Sequence, residues 1–273
     1  MNKIIDEMSA SVPVWEDEYI GEDGLPYCKK CKEPRHYILD VPNMGIRNKV
    51  VRCICSCQVA MNEERELQRN HAEYERKRKQ CFAYADEMRY WTFANDDGRN
   101  KKWSDAMKRY VDKFEDFKLM GKGLLLFGDV GTGKTYYAAC IANKLIDRDY
   151  FVRFRTFKNI ESEYFNAENK AAYVKDLNRC DLLILDDLGV ERNSEYMNEL
   201  VFDVINTRYS MGLPFIITTN LSGEELKNPD NIKNERIYDR ILERCYPLKM
   251  EGQSRRKQNL MAMSEDVQMM LGL

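Results

Sequence analysis

The stretch with the clearest chemical potential is Gly128-Asp129-Val130-Gly131-Thr132-Gly133-Lys134-Thr135, followed by Tyr136. Its glycines admit backbone conformations closed to residues with a Cβ, so successive N–H groups can turn inward on one anion. Lys134 adds a cation against phosphate oxygens, and the Thr135 hydroxyl is a hard ligand suited to Mg²⁺ at a helix N-terminus, where the dipole also favours anions. The chemistry implied is binding of a nucleoside triphosphate such as ATP with its Mg²⁺. Asp186 and Asp187 close the apolar run Leu182-Leu183-Ile184-Leu185. Beside a phosphate loop, Asp186 can hold Mg²⁺ through water and Asp187 can polarise an attacking water. Asn220, behind Phe215-Ile216-Ile217-Thr218-Thr219, offers an amide to orient that water and sense the terminal phosphate.

A second constellation is thiol chemistry. Of nine cysteines, five fall between Cys28 and Cys57. Cys28-Lys29-Lys30-Cys31 is a C-x₂-C knuckle, and Cys53, Cys55 and Cys57 follow some twenty residues later. Two separated thiolate pairs can surround Zn²⁺ tetrahedrally. Cys28, Cys31, Cys55 and Cys57 are the favoured ligands, with Cys53 as the substitute and His36 a more distant one. The metal is read as structural, because so short a segment has little apolar core and zinc can supply about 10–16 kcal/mol of folding energy. Only two histidines are present, which argues against histidine-based catalysis.

The positioning elements follow from the patterning around these residues. Gly123-Leu124-Leu125-Leu126-Phe127 is a short buried strand feeding the glycine loop, and residues 136–146 continue as a helix. Further strands are expected over 150–155, 181–189, 215–220 and 245–250. Helices are expected over 104–119, 159–177, 195–210, with Asn193 or Ser194 as its cap, and 235–244. Tyr90-Trp91-Thr92-Phe93 could flank a nucleobase, although aromatics in such a place commonly just fill the core. Residues 58–80 are strongly charged and free of Gly and Pro, which suits a long exposed helix. Residues 1–24 read as a mobile or short helical leader. The expected domains are therefore a zinc module over 1–57, a charged helical linker over 58–88 and a nucleotide-binding domain over 89–273.

The net charge of −2 gives no global pull toward nucleic acid, so DNA contact must be local, as at Arg76-Lys77-Arg78-Lys79, Arg99 to Lys102 or Arg255-Arg256-Lys257. No apolar run approaches the roughly 18 residues of a membrane span, and no signal layout is seen at the N-terminus; a cytoplasmic location with no membrane contact is expected.

In order, Gly128 to Thr135, Leu183 to Gly189, Ile205 to Tyr209, Ile217 to Leu221 and Arg236 to Ile241 resemble the AAA+ ATPases of the DnaC/DnaI helicase-loader group, with IstB ATPases as near relatives. The resemblance covers roughly residues 90–260. It implies an α/β P-loop NTPase with a five-stranded parallel sheet of order 5-1-4-3-2 and a minimal lid. It also implies Lys134, Thr135, Asp186 and Asp187 as the phosphate and metal residues, Asn220 as sensor 1 and Arg240 as a finger acting on a neighbouring subunit. Gly252-Gln253-Ser254-Arg255-Arg256 resembles the group's ending, which makes Arg256 the sensor-2 residue, with Arg255 the alternative. The implied role is ATP-dependent delivery of a replicative hexameric helicase onto single-stranded DNA, with self-association through the ATPase domain. A transposition helper of the IstB type is the alternative. A P-loop small-molecule kinase and a zinc adaptor with a degenerate ATPase fit less well.

Overall fold

The computed structural model describes residues 13–189, 195–229, 231–255, 267 and 269–271. The chain divides into two compact units, the first ending at Glu73 and the second beginning at Tyr74.

The first unit is built from two antiparallel pairs. β1 (Glu18–Ile20) pairs with β2 (Pro26–Cys28), and β3 (His36–Val41) pairs with β4 (Ile46–Arg52). The strand at β1 corrects the reading of residues 18–20 as leader: Glu18 is buried, with Arg52 3.2 Å away, so a charged segment is held by ion pairing rather than by apolar pattern. Helix α1 (Ser56–Cys81) starts in this unit, and its first turn carries Cys57. Its N-terminus is satisfied from a distance, the Ser56 N–H donating to Glu33 Oε2 at 2.6 Å. That bond holds the Glu33 carboxyl below its usual range.

In the second unit the central sheet contains β5 (Gly123–Phe127), β6 (Val152–Thr156), β7 (Leu182–Leu188), β8 (Phe215–Thr219) and β9 (Cys245–Lys249). All neighbours are parallel, and the order β6-β7-β8-β5-β9 is 5-1-4-3-2 when strands are counted from β5. Both faces are apolar because side chains alternate along each strand. Leu124, Leu126, Ile184 and Ile216 pack on one side with α2 (Lys101–Asp112) and α4 (Lys134–Ile146). On the other side Leu125, Leu183, Phe215 and Ile217 meet α5 (Phe157–Asn166), α7 (Glu195–Ser210) and α9 (Ile232–Arg244).

Two expected helices are each split. Residues 104–119 form α2 and α3 (Phe114–Met120), broken at Lys113, and residues 159–177 form α5 and α6 (Lys170–Leu177). In the second case Asn169 caps α6 through its side chain, a local competition with helix that apolar spacing does not reveal. A short helix, α8 (Gly223–Lys227), was not anticipated; Ser222 and Glu225 close a capping box at its start. The Asn193-Ser194 cap expected for α7 lies outside the described residues.

One joint ties the loops entering β7 and β8. Arg208 on α7, fully buried, donates to the carbonyls of Asn178, Cys180, Asp181 and Pro214 at 2.7–3.1 Å. These carbonyls have no ladder partners at the sheet's N-terminal edge, and a guanidinium fork can reach several of them at once.

Candidate active site and metal cluster

The glycine loop joins β5 to α4 at the C-terminal edge of the sheet, where open α/β sheets bind ligands. Gly131 has φ +85° and Gly133 φ +98°, in the left-handed region that orients N–H groups into an anion cradle. At Gly131 the loop is also closed sterically: a Cβ there would lie 2.2 Å from Ser254 Oγ. Thr132 Oγ1 donates to the Asp129 carbonyl at 3.0 Å, closing the turn. The Lys134 ammonium, largely buried, donates to the Gly128 and Asp129 carbonyls, both at 2.7 Å, and so lies over the loop.

Asp186 is buried near the C-terminal end of β7, and Thr135 Oγ1, in the first turn of α4, donates to Asp186 Oδ1 at 3.0 Å. Burial raises the Asp186 carboxyl to about 6, against the lowering effect of the Thr218 hydrogen bond; the neighbouring Asp187 charge also raises it, while Thr135 and Lys134 lower it. A hydroxyl and a carboxylate this close form a hard-oxygen donor pair of the kind Mg²⁺ takes. Asp187 has φ +61°, rare for a residue with a side chain, and it lines the cavity with Asn220.

The cavity measures about 510 Å³ and is lined by Val130, Gly131, Gly133, Lys134, Thr135 and Tyr136 of the loop and helix, Asp187, Asn220, Arg255, and Trp91, Asn95 and Asp97. Of these last three, Asn95 and Asp97 were not singled out from sequence, and Trp91 was read only as one of the aromatics at 90–93 that could flank a nucleobase. All three come from a strap of short turns that α4 pins in place. The buried Asn143 amide donates to the Met88 and Trp91 carbonyls at 2.8 and 2.9 Å, and the Tyr136 hydroxyl donates to the Thr92 carbonyl at 2.8 Å. The Trp91 and Tyr136 rings lie 5.7 Å apart, an aromatic wall beside the phosphate loop. The aromatic run at 90–93 was the available signal, and only the fold separates Trp91 as lining.

Arg255 is also at the cavity. Its N–H donates to the Gly131 carbonyl at 3.0 Å, and its guanidinium lies 3.1 Å from Asp97 and 3.7 Å from Asp96. Arg256 lies outside the described residues. Arg240 is absent from the cavity lining: its guanidinium stacks 4.7 Å from the Phe202 ring and donates to the Arg236 carbonyl at 3.0 Å.

In the first unit Cys28, Cys31, Cys55 and Cys57 converge, with all four sulfurs within 4.8 Å of one another. Cys28 and Cys57 are 3.5 Å apart and Cys55 and Cys57 3.3 Å, near the ~3.8 Å edge of a tetrahedral zinc–thiolate site. The Cys31 N–H lowers the Cys28 thiol to about 6, and the Glu33 N–H lowers Cys31, as expected of a knuckle whose amides stabilise thiolates. The donor set therefore fits zinc. Cys53 turns away, its thiol donating to the Pro34 carbonyl at 3.3 Å, and neither Cys53 nor His36 belongs to the cluster.

Comparison with known proteins gives a consistent picture. Residues 65–262 match the family model described as IstB-like ATP binding protein. The replicative helicase loader DnaI of Bacillus subtilis is 31% identical over 149 residues, covering 50% of this chain and 48% of that protein, so the match spans about half the relative's length. The phage-like element PBSX protein XkdC of the same organism is 26% identical over 255 residues, covering 88% of this chain and 89% of its own. Among solved structures, the crystal structure of DnaI aligns with a TM-score of 0.51 at 29% identity, over 62% of this chain and 92% of that one.

Proposed function

The chain belongs to the IstB-like ATP-binding proteins, a family related to the DnaC/DnaI AAA+ ATPases, and from that premise we propose that it is an ATP-hydrolysing loader of a replicative hexameric helicase onto single-stranded DNA. The observation that carries the ATPase half is the convergence of Lys134, Thr135, Asp187 and Asn220 on one cavity, with Asp186 bonded to Thr135. The loop amides and Lys134 bind the phosphates of ATP. Mg²⁺ held by Thr135 and through water by Asp186 would neutralise charge on the β- and γ-phosphates. Asp187 polarises the attacking water and Asn220 orients it. Arg240, outside its own cavity, acts on the cavity of a neighbouring copy, where such an arginine is worth about 10³–10⁵ in rate. Arg255, which lines the cavity, takes the sensor-2 role for which the resemblance offered it as the alternative to Arg256.

The loader half rests on the DnaI likeness and on a cysteine module suited to structural zinc, which we assign to gripping the helicase. The IstB description of the family keeps transposition-helper activity as the second reading. One experiment separates them. Full-length protein, ATP and the host helicase are mixed with circular single-stranded DNA, and helicase bound to DNA is measured after gel filtration. A loader gives ATP-dependent transfer and co-elution with the helicase. DNA-stimulated ATP turnover without any helicase binding rejects the loader and leaves the transposition helper.

A further inference from the structure

We propose that Thr218 is a positioning residue for hydrolysis, holding Asp186 and Asp187 on the same side of the sheet's edge by bridging the carboxylate of one to the backbone of the other. The proposal rests on the ATPase reading above. In a regular strand consecutive side chains point to opposite faces, so Asp186 and Asp187 could not both serve one site. Here β7 departs from regularity. Leu185 pairs with Ile217, and the next pair is Leu188 with Thr219, so β7 uses one more residue than β8 across the interval and bulges at the two aspartates. Asp187 absorbs the bulge with its φ of +61°. Asp186 then faces Thr135 while Asp187 reaches the cavity.

Thr218 is the residue of β8 opposite that bulge and is fully buried. Its hydroxyl donates to Asp186 Oδ1 and accepts the Asp187 N–H at 3.0 Å. One oxygen thus fixes the direction of the carboxylate and supplies the partner that a bulged N–H loses from the ladder. Thr219 repeats the device one residue on. Its hydroxyl donates to the Leu188 carbonyl at 2.6 Å and accepts the Leu221 N–H at 3.1 Å, securing both sides of Asn220. Phe215, Ile216 and Ile217 before them are apolar and buried, so two successive hydroxyls in this strand mark a requirement for hydrogen bonding rather than for filling. The water-handling groups Asp187 and Asn220 are in this way set by adjacent threonines of one strand.

The test compares full-length wild type with Thr218→Val, which keeps the shape and loses the hydroxyl, and Thr218→Ser, which keeps the hydroxyl. ATP turnover is measured with single-stranded DNA, alongside the dissociation constant of a fluorescent ATP analogue and the thermal midpoint. In Thr218→Val turnover should fall about 10- to 100-fold while nucleotide affinity stays within about threefold, and Thr218→Ser should stay within about threefold on both measures. Wild-type turnover in Thr218→Val overturns the proposal. So does a parallel loss of affinity, midpoint and activity, which marks a purely structural residue, or a serine variant as impaired as the valine. A wild type that binds ATP but never turns it over overturns the hydrolytic reading and this proposal together, whereas an active wild type beside an equally active Thr218→Val overturns this proposal alone.

Discussion

A single methyl group is enough to test the phosphate cradle. At Gly131 it would meet Ser254 Oγ at 2.2 Å on a backbone with φ +85°. A Gly131→Ala chain should therefore bind a fluorescent ATP analogue at least about tenfold more weakly, since the left-handed conformation alone costs an ordinary residue about 1–2 kcal/mol. Titration at fixed Mg²⁺ measures this, and unchanged affinity would remove the loop from the site. The glycine loop could be read from sequence because the motif is local: the residues that make the turn are the residues that bind. Asp97 and Asn95 were not legible in this way, whereas Arg255 was read as the alternative to Arg256. Asp97 and Asn95 line the cavity from a strap set by the Asn143 amide some fifty residues on, and no spacing rule connects a helix-borne asparagine to the carbonyls of Met88 and Trp91. Thr218 was visible as a residue but not as a role, because its role comes from a bulge on another strand.

At the level of elements, the cysteine cluster and the start of α1 are tied together. Cys57 is both a cluster sulfur and part of the first turn of α1, whose start is also capped by Glu33 two residues beyond Cys31. Chelation should thus release the helix start along with the hairpins, seen as fast amide exchange over residues 13–65, while the sheet of the second unit stays protected. Metal analysis should find about one zinc per chain, retained in Cys53→Ser and lost in Cys57→Ser. Zinc loss from Cys53→Ser with retention in Cys57→Ser would reverse the ligand assignment. The thiol spacing announced this cluster, yet the strands around it escaped notice. β3 and β4 are largely exposed, so their residues carry no strong alternation, and buried Glu18 is held by Arg52 rather than by apolar neighbours. β5, β7 and β8 were legible for the opposite reason: buried on both faces, they read as largely apolar runs between turn signals.

For the molecule as a whole, the decisive issue is whether its active site is completed by another copy. Arg240 leans on Phe202 and does not line its own cavity; for the proposed role on a neighbour's phosphate it would have to leave that ring. Lys134→Ala should lack nucleotide binding but still present Arg240, and Arg240→Ala should bind nucleotide but turn it over poorly. Mixed at constant total concentration with DNA, the two should recover part of wild-type turnover; a strictly additive rate shows each copy working alone. The proposed assembly on DNA would be electrostatic, and counterion release makes such binding weaken steeply with salt. The Arg208 joint answers to different physics. Its charge is balanced by carbonyl dipoles in a buried place that dissolved ions do not enter, so screening has little to act on. On the proposed reading, raised ionic strength should therefore strip the protein from DNA and from its neighbours while leaving the sheet that carries the site intact, and lowering the salt again should restore the assembly.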